Sequence, residues 1–471
     1  MTLTTYPPLS VREKVAYGLG DMASNFYNGF FGIFLLYYYT DVWGIHPGHA
    51  ALMFLVTRWV DAITDPAMGL IADRTNTRWG KYRPYILWTI IPYALLGYIL
   101  FLGPDLGDTG KVIYAYVTYS LVMLAYTAIN VPYSALLAVI HPDSAERTKA
   151  TQYRFVLASL GSIVVGAGTK PLVDALGGGD ELTGFRLTII LFAVLSVILF
   201  LITFAFTRER ITPAKPKDAK IVDDLGVLIR NVSWVVLAIA SVLIVIGLIG
   251  RLSSVAFYVK YVLALGDEKQ LWWMDTASLI ITAGFVGQLV GALITPLLVQ
   301  KSDKKTLLIA ACCLAAAALA INYILPASFV AALIAHIAVM LGFGIMITLL
   351  FAMYTDCSEY GEWVSGKNSA GLTVSASMFA LKFGSAIGVA IPSAILAFFG
   401  FISPIDGAAQ IQTDQAVSGI LMMFNIVPGA FFLAAAVLIW FYRIDRKLLG
   451  RIEAEMRMRR EGAALAGEAA A

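Results

Sequence analysis

LMFLVTRWVDAITDPAMGLIADR, residues 52–74, decides how this chain is read. Its apolar frame suits a membrane-crossing helix, yet it holds Arg58, Asp61 and Asp65 where charge is hardest to solvate. On a helix these stand at i, i+3 and i+7, so all three project from roughly one face, within ~100°. They form either a structural ion pair or a working site, and the rest of the chain decides between them.

Composition places the stretch in a membrane. The chain has 471 residues, 59% apolar and only 14% charged, against roughly 25% charged in soluble proteins. A soluble fold would leave its many long apolar runs unexplained. No cleavable signal peptide is visible, because Met1 to Lys14 is polar and the first apolar run is long. Cys312, Cys313 and Cys357 are too few and scattered for a disulfide framework and read as small apolar fillers.

Apolar runs fall near residues 16–40, 47–73, 84–103, 111–139, 150–177 and 187–207, then near 234–262, 276–300, 306–325, 328–354, 369–400 and 415–442. Spans must be helical, since the bilayer core offers no water to unpaired backbone groups. With a cytoplasmic N-terminus, inner segments carry 25 of the 34 Lys and Arg, and short outer loops carry three: Lys111, Arg186 and Lys269. The positive-inside rule demands this bias, and one miscounted helix would scramble it. The expected fold is therefore an all-α integral membrane protein with twelve transmembrane helices and both termini cytoplasmic. Its parts are a six-helix half at 1–207, a cytoplasmic linker at 208–233, a second six-helix half at 234–442 and a basic, amphipathic tail at 443–471. An internal echo relates the halves: HPDSAERTKA follows span 4 and YTDCSEYGEW follows span 10, so Asp143 and Glu146 match Asp356 and Glu359. Parallel six-helix halves are the mark of the major facilitator architecture.

The loop GLIADRTNTRWGKYRP, residues 69–84, resembles the cytoplasmic signature of that superfamily. Gly69 allows a neighbouring helix to approach closely, Asp73 can pair with basic groups or cap a helix, and Arg74 and Arg78 supply the positive charge. The loop reads as a gating latch beside Arg58, Asp356 and Glu359, against the plainer reading of a positive-inside loop.

Asp61 and Asp65 stand about 6 Å apart at mid-membrane. Two such carboxylates share a proton, bind a cation, or are neutralised by Arg58 and by Lys382 of span 11. Span 4 adds Tyr126, Thr127 and Asn130 before Pro132, and span 1 adds Asp21 and Asn25 on one face. Polar groups beside aromatic rings suit a polyhydroxylated ligand, while interhelical packing is the alternative for either Asn alone. Arg154 and Arg251 are further buried cations for a site. Lys170 and Lys260, near outer ends, are expected to snorkel.

The ordered set YGLGD…N, YYYTDVWG, RWVDAITDPAMG, RWGKYRP, YTAINVPYSAL and EYGEW resembles the glycoside–pentoside–hexuronide:cation symporters, the melibiose permease group of the major facilitator superfamily, from about residue 11 to 445. The resemblance implies a major facilitator fold, a central sugar site and coupling to inward movement of H⁺, Na⁺ or Li⁺. It matches Asp61 and Asp65 to the paired cation-site carboxylates and Thr127 to a cation-ligating threonine. It matches Arg58, Lys382 and Arg154 to basic positions of the family on spans 2, 11 and 5. The melibiose permeases carry sugar-binding aspartates where this chain has Asn25 and Asn130, and a tryptophan platform where it has Ser134. Their Na⁺-site asparagine is Thr64 here; one amide oxygen fewer for a hard cation tilts the balance toward H⁺.

The expected activity is therefore import of a sugar or glycoside, with a hexuronide ahead of a neutral pentoside because Arg154, Arg251 and Lys382 enrich the interior in positive charge. The partners are a small sugar, the coupling cation and the lipid bilayer, with no nucleic acid, and the chain acts as a monomer in the inner membrane. No cofactor is expected beyond co-transported H⁺ or Na⁺, and no metal beyond a possible Na⁺ at Asp61 and Asp65. A proton-coupled exporter of amphipathic compounds is the alternative, disfavoured by the amide-rich walls of spans 1 and 4. An enzyme is excluded by the lack of nucleophile–base spacing and of a phosphate loop.

Overall fold

The computed structural model describes residues 7–141, 144–210, 228–265, 269–271, 274–325, 327–365, 370–403, 410–452 and 455. Helices make up nearly all of it, with one two-stranded ribbon at Lys269–Leu271 and Met274–Asp275. The linker from 211 to 227 and most of the tail after 452 lie outside the described residues.

In chain order the helices are α1 (Val11–Phe30), α2 (Pro47–Arg74), α3 (Arg83–Leu100), α4 (Asp108–Ile140), α5 (Ser144–Gly177) and α6 (Glu181–Phe206). Then follow α7 (Val232–Val262), α8 (Thr276–Lys301), α9 (Lys304–Ile324), α10 (Phe329–Ser365), α11 (Ala370–Phe398) and α12 (Asp414–Ile439). Two π-helical turns, Phe31–Leu35 and Tyr38–Val42, extend α1, and another, Tyr258–Val262, ends α7. Local chemistry sets several ends: the Ser10 hydroxyl accepts from Glu13 N at 3.2 Å, Pro47 opens α2, and Asp180 caps α6.

Among the described residues, nine helices, α4 to α12, are long and apolar enough to cross a membrane. α2 is one continuous helix from Pro47 to Arg74, and its described residues include two apolar stretches, Pro47–Thr57 and Ile63–Ala72. Two elements outrun their apolar runs. The echo segment HPDSAERTKA is helical from Ser144, where α5 begins, and YTDCSEYGEW lies within α10, which continues to Ser365. Helix continues there because polar side chains pair along it, as Lys149 does with Glu146 at 2.7 Å.

Contacts divide the chain into two compact units. The first holds Met1–Lys215, Leu252–Phe285 and Val389–Leu421; the second holds Pro216–Arg251, Val286–Gly388 and Met422–Ala471. In the first, α1 packs on α5 and α6, α3 on α4 and α6, and α2 on α4; in the second, α9 packs on α10 and α12. Phe30 anchors the first core, its ring 5.0 Å from Phe101, 5.9 Å from Phe185 and 5.8 Å from Phe192. In the second unit α8 and α10 touch backbone to backbone: a β-carbon at Gly344 would fall 2.0 Å from the Gln288 carbonyl oxygen, and one at Gly291 2.1 Å from that of Leu341. Only glycine permits this, and such contact replaces the hydrophobic drive that lipid removes.

Candidate functional site

Helix α2 carries Asp61, Thr64 and Asp65, and Pro66 directly follows. Proline cannot donate to the carbonyl four residues back, so the helix is loosened at this point. Thr127 of α4, itself buried, donates its hydroxyl to Asp65 Oδ1 at 2.7 Å. Asp61 and Asp65 are half-buried, and the buried Thr64 hydroxyl has no hydrogen-bond partner among the described residues. Asp65 and Thr127 thus meet where α2 packs on α4, with Asp61 and Thr64 on the same stretch of α2. The side chains of Arg58 and Asp73 lie outside what the structure describes.

One turn along α4 the cluster continues to α1. Asn130 Oδ1 accepts from the Ser24 hydroxyl at 2.8 Å, and its amide donates to the Tyr126 carbonyl at 3.3 Å. Asn25 donates to the Asp21 carbonyl at 2.8 Å and accepts from Ser162 of α5 at 3.4 Å. Both amides therefore make the contacts between helices that the packing alternative required. Asp21 is paired face-on with Arg154 of α5, Oδ2 to Nε at 3.1 Å and Oδ1 to Nη2 at 3.2 Å. The guanidinium stands 5.3 Å from the Tyr133 ring, which stacks on Tyr17 at 5.0 Å. Three polar pairs, Asp65–Thr127, Asn130–Ser24 and Asp21–Arg154, thus follow one another at about one-turn spacing along α4 and α1, all within the first unit.

The second unit holds the remaining candidates apart from one another. Arg251 is wholly buried, donating Nε to His336 Nδ1 at 3.2 Å and Nη1 to the Phe424 carbonyl at 2.6 Å, with its guanidinium 3.9 Å from the Phe424 ring. Those contacts hold α7, α10 and α12 together, which is a structural task. Lys382 is exposed on α11. Asp356 takes Lys304 at 2.7 Å and is buried, whereas Glu359 is exposed. In the first unit it is Glu146, the match of Glu359, that is buried, with Lys14 at 2.8 Å and Lys149 at 2.7 Å. The echo is thus one of residues and not of burial; Asp143 lies outside the described residues.

Residues 16–446 match the family described as MFS/sugar transport protein. The chain belongs to this major facilitator family. It is 32% identical over 431 residues to the inner membrane symporter YicJ of Escherichia coli (strain K12), covering 91% of each chain. It is 31% identical over 455 residues to the isoprimeverose transporter of Lactiplantibacillus pentosus, covering 94% of this chain and 91% of the relative. A solved D-xylose-proton symporter shares its fold with a TM-score of 0.60 at 15% identity, over 92% of this chain and 97% of that one. The glycoside–pentoside–hexuronide symporter resemblance therefore holds, and the chain is a multi-pass membrane transporter, not an enzyme.

For this facilitator the gating loop is built differently from expectation. A β-carbon at Gly69 would meet only Val131, at 4.0 Å, so no close approach depends on it. Arg74 and Arg78 are exposed, Arg78 lying 4.6 Å from the Trp79 ring. What fixes the loop is Glu209, which the sequence reading left in the cytoplasmic linker without a role. Its carboxylate accepts from Lys81 N at 2.8 Å, Tyr82 N at 2.7 Å and Arg83 N at 3.0 Å, at the positive end of α3. Lys170 and Lys260 do not snorkel either; each is paired with acids. Asp41, in the quoted YYYTDVWG, carried no assigned role, and its burial was invisible in an aromatic run.

Proposed function

We propose that the protein imports a neutral sugar or glycoside, a pentoside above all, by symport with H⁺ or Na⁺ through alternating access. It would do so across the cytoplasmic (inner) membrane, with twelve spans and both termini inside. The observation that carries this reading is the Thr127–Asp65 hydrogen bond. Because α4 presents Thr127 to Asp65 and Asn130 to Ser24 of α1, one helix touches the proposed cation site and the polar wall together. With no cation bound, occluding Asp61 and Asp65 would desolvate two charges at a cost of several kcal/mol. A bound cation cancels part of that cost, so loading favours the conformational change. A donor set of carboxylates and hydroxyls without a side-chain amide favours H⁺.

The neutral substrate follows from charge balance. Arg154 is already compensated by Asp21, and Arg251 is sealed among His336 and Phe424, so neither supplies a spare cation to an acidic sugar. The relative named for isoprimeverose accords with this.

The test is counterflow and gradient-driven uptake in proteoliposomes, with a panel of neutral pentosides and hexuronides at varied pH and Na⁺. Asp65→Asn is expected to retain counterflow and lose accumulation. Accumulation equal to wild type would remove Asp65 from coupling, and hexuronide preference would overturn the neutral-substrate reading.

A further inference from the structure

At the end of the first unit away from Glu146 and Lys14, a cavity of about 640 Å³ is lined by Tyr37, Lys170, Asp174, Glu181, Lys260 and Asp275, among others. In the topology proposed above this is the outer end. Lys260, from the last turn of α7, places Nζ 2.6 Å from Asp41 Oδ2 and 3.2 Å from the Tyr37 hydroxyl. Tyr37 donates in turn to Glu181 Oε2 at 3.2 Å, and Glu181 is held by Lys170 at 2.5 Å, which also takes Asp174 at 2.8 Å. The Tyr261 hydroxyl donates to the other oxygen of Asp41.

Both partners of the central pair sit in π-helical turns, Asp41 in Tyr38–Val42 and Lys260 in Tyr258–Val262. A π turn inserts a residue, re-aims the side chains around it and is retained where function repays its poorer geometry. The Asp41 side chain is wholly buried, whereas that of Lys260 is 27% exposed. An acid so placed depends on a cation that water can reach. Partly desolvated pairs of this kind lie near energetic balance, because attraction gained on closing is offset by hydration lost. Below them α5 and α8 close on each other: a β-carbon at Gly166 would lie 2.6 Å from Ile281 Cγ2, and Ile281 is fully buried.

We propose that Lys260 is the bolt of an outer gate. Its pairing with Asp41 holds the outer ends of α1 and α7 together, and parting of the pair opens the path past Ile281 to the outside. The near-balance of the pair lets one contact specify the closed state and still release within a transport cycle. The proposal rests on the alternating-access reading, but its readout needs neither sugar nor gradient.

The experiment uses the full chain in cells, with Cys312, Cys313 and Cys357 changed to Ser and Ile281→Cys as reporter. A membrane-impermeant maleimide is added outside and the labelling rate followed. Lys260→Gln and Asp41→Asn are each expected to raise the rate about tenfold, while Lys260→Arg stays near the parent. Should Lys260→Gln fail to fold, Asp41→Asn carries the same reading. The gate is overturned if neither neutral variant labels faster, or if Lys260→Arg labels as fast as Lys260→Gln. A protein that moves no sugar in the uptake assay still answers here, so the two readings fail separately.

Discussion

Gly80 and Glu209 fit each other so closely that a β-carbon on Gly80 would lie 2.4 Å from the Glu209 carboxyl carbon. Gly80 also holds φ at +108°, where side chains other than hydrogen are strained. Gly80→Ala is expected to destabilise the protein by about 2 kcal/mol, the sum of backbone strain and a disturbed cap. Glu209→Ala should cost about 1 kcal/mol by itself. Thermal unfolding of the purified protein should show the double variant losing less than the sum, because the clash is then gone. Strict additivity would mean that the carboxylate and the glycine do not act together.

The Asp21–Arg154 pair gives a second expectation. Its groups are mostly buried, so removing one partner strands the other's charge. Asp21→Asn and Arg154→Gln should each lower stability by about 2–3 kcal/mol, and the double variant should lie above at least one single. Counterflow in the double variant separates roles. Retained exchange of a neutral glycoside would make the pair a structural clasp, whereas abolished exchange would make it part of the sugar wall.

Acid sensitivity should centre on Glu146. Hydrogen bonds from Lys14 and Lys149 hold its carboxyl down at about 2, against 4.5 for a free glutamate. A folded-state value below the unfolded one means stability that is present above pH 4.5 and lost as pH falls toward 2. The Leu9 backbone N–H, 3.0 Å from Oε2, is released in the same window, freeing the segment ahead of α1. Unfolding midpoints measured from pH 6 downward should therefore fall more steeply for the wild type than for Glu146→Gln. Parallel curves would show that other carboxylates dominate.

Much of this was legible one-dimensionally. The apolar runs mark most helix ends to within a few residues, α5 and α10 excepted, because lipid requires helical spans of limited length while polar pairing carries those two further. The Asp61–Asp65 spacing and Thr127 were singled out from order alone, and α2 does pack on α4 there. Asn25, Asn130 and Arg154 were found, but not that Ser24, Ser162 and Asp21 would take up their polar groups.

The residues missed are those whose partners lie far away in the chain. Asp41 and Lys260 are 219 residues apart in the chain, and each alone resembles an ordinary charge near a span end. Glu209 hid in the linker because its task is set by backbone N–H groups, which have no letter in a sequence. Periodicity marked which segments form long apolar helices, and charge marked which residues within them are costly to bury. Which carboxylate meets which cation depends on helix packing, and glycine contacts such as Gly291 with Gly344 set that packing at a precision no pattern of residue types encodes. Only the tertiary structure therefore showed Arg154 as balanced, Arg251 as sealed, and Lys260 as paired with a buried Asp41.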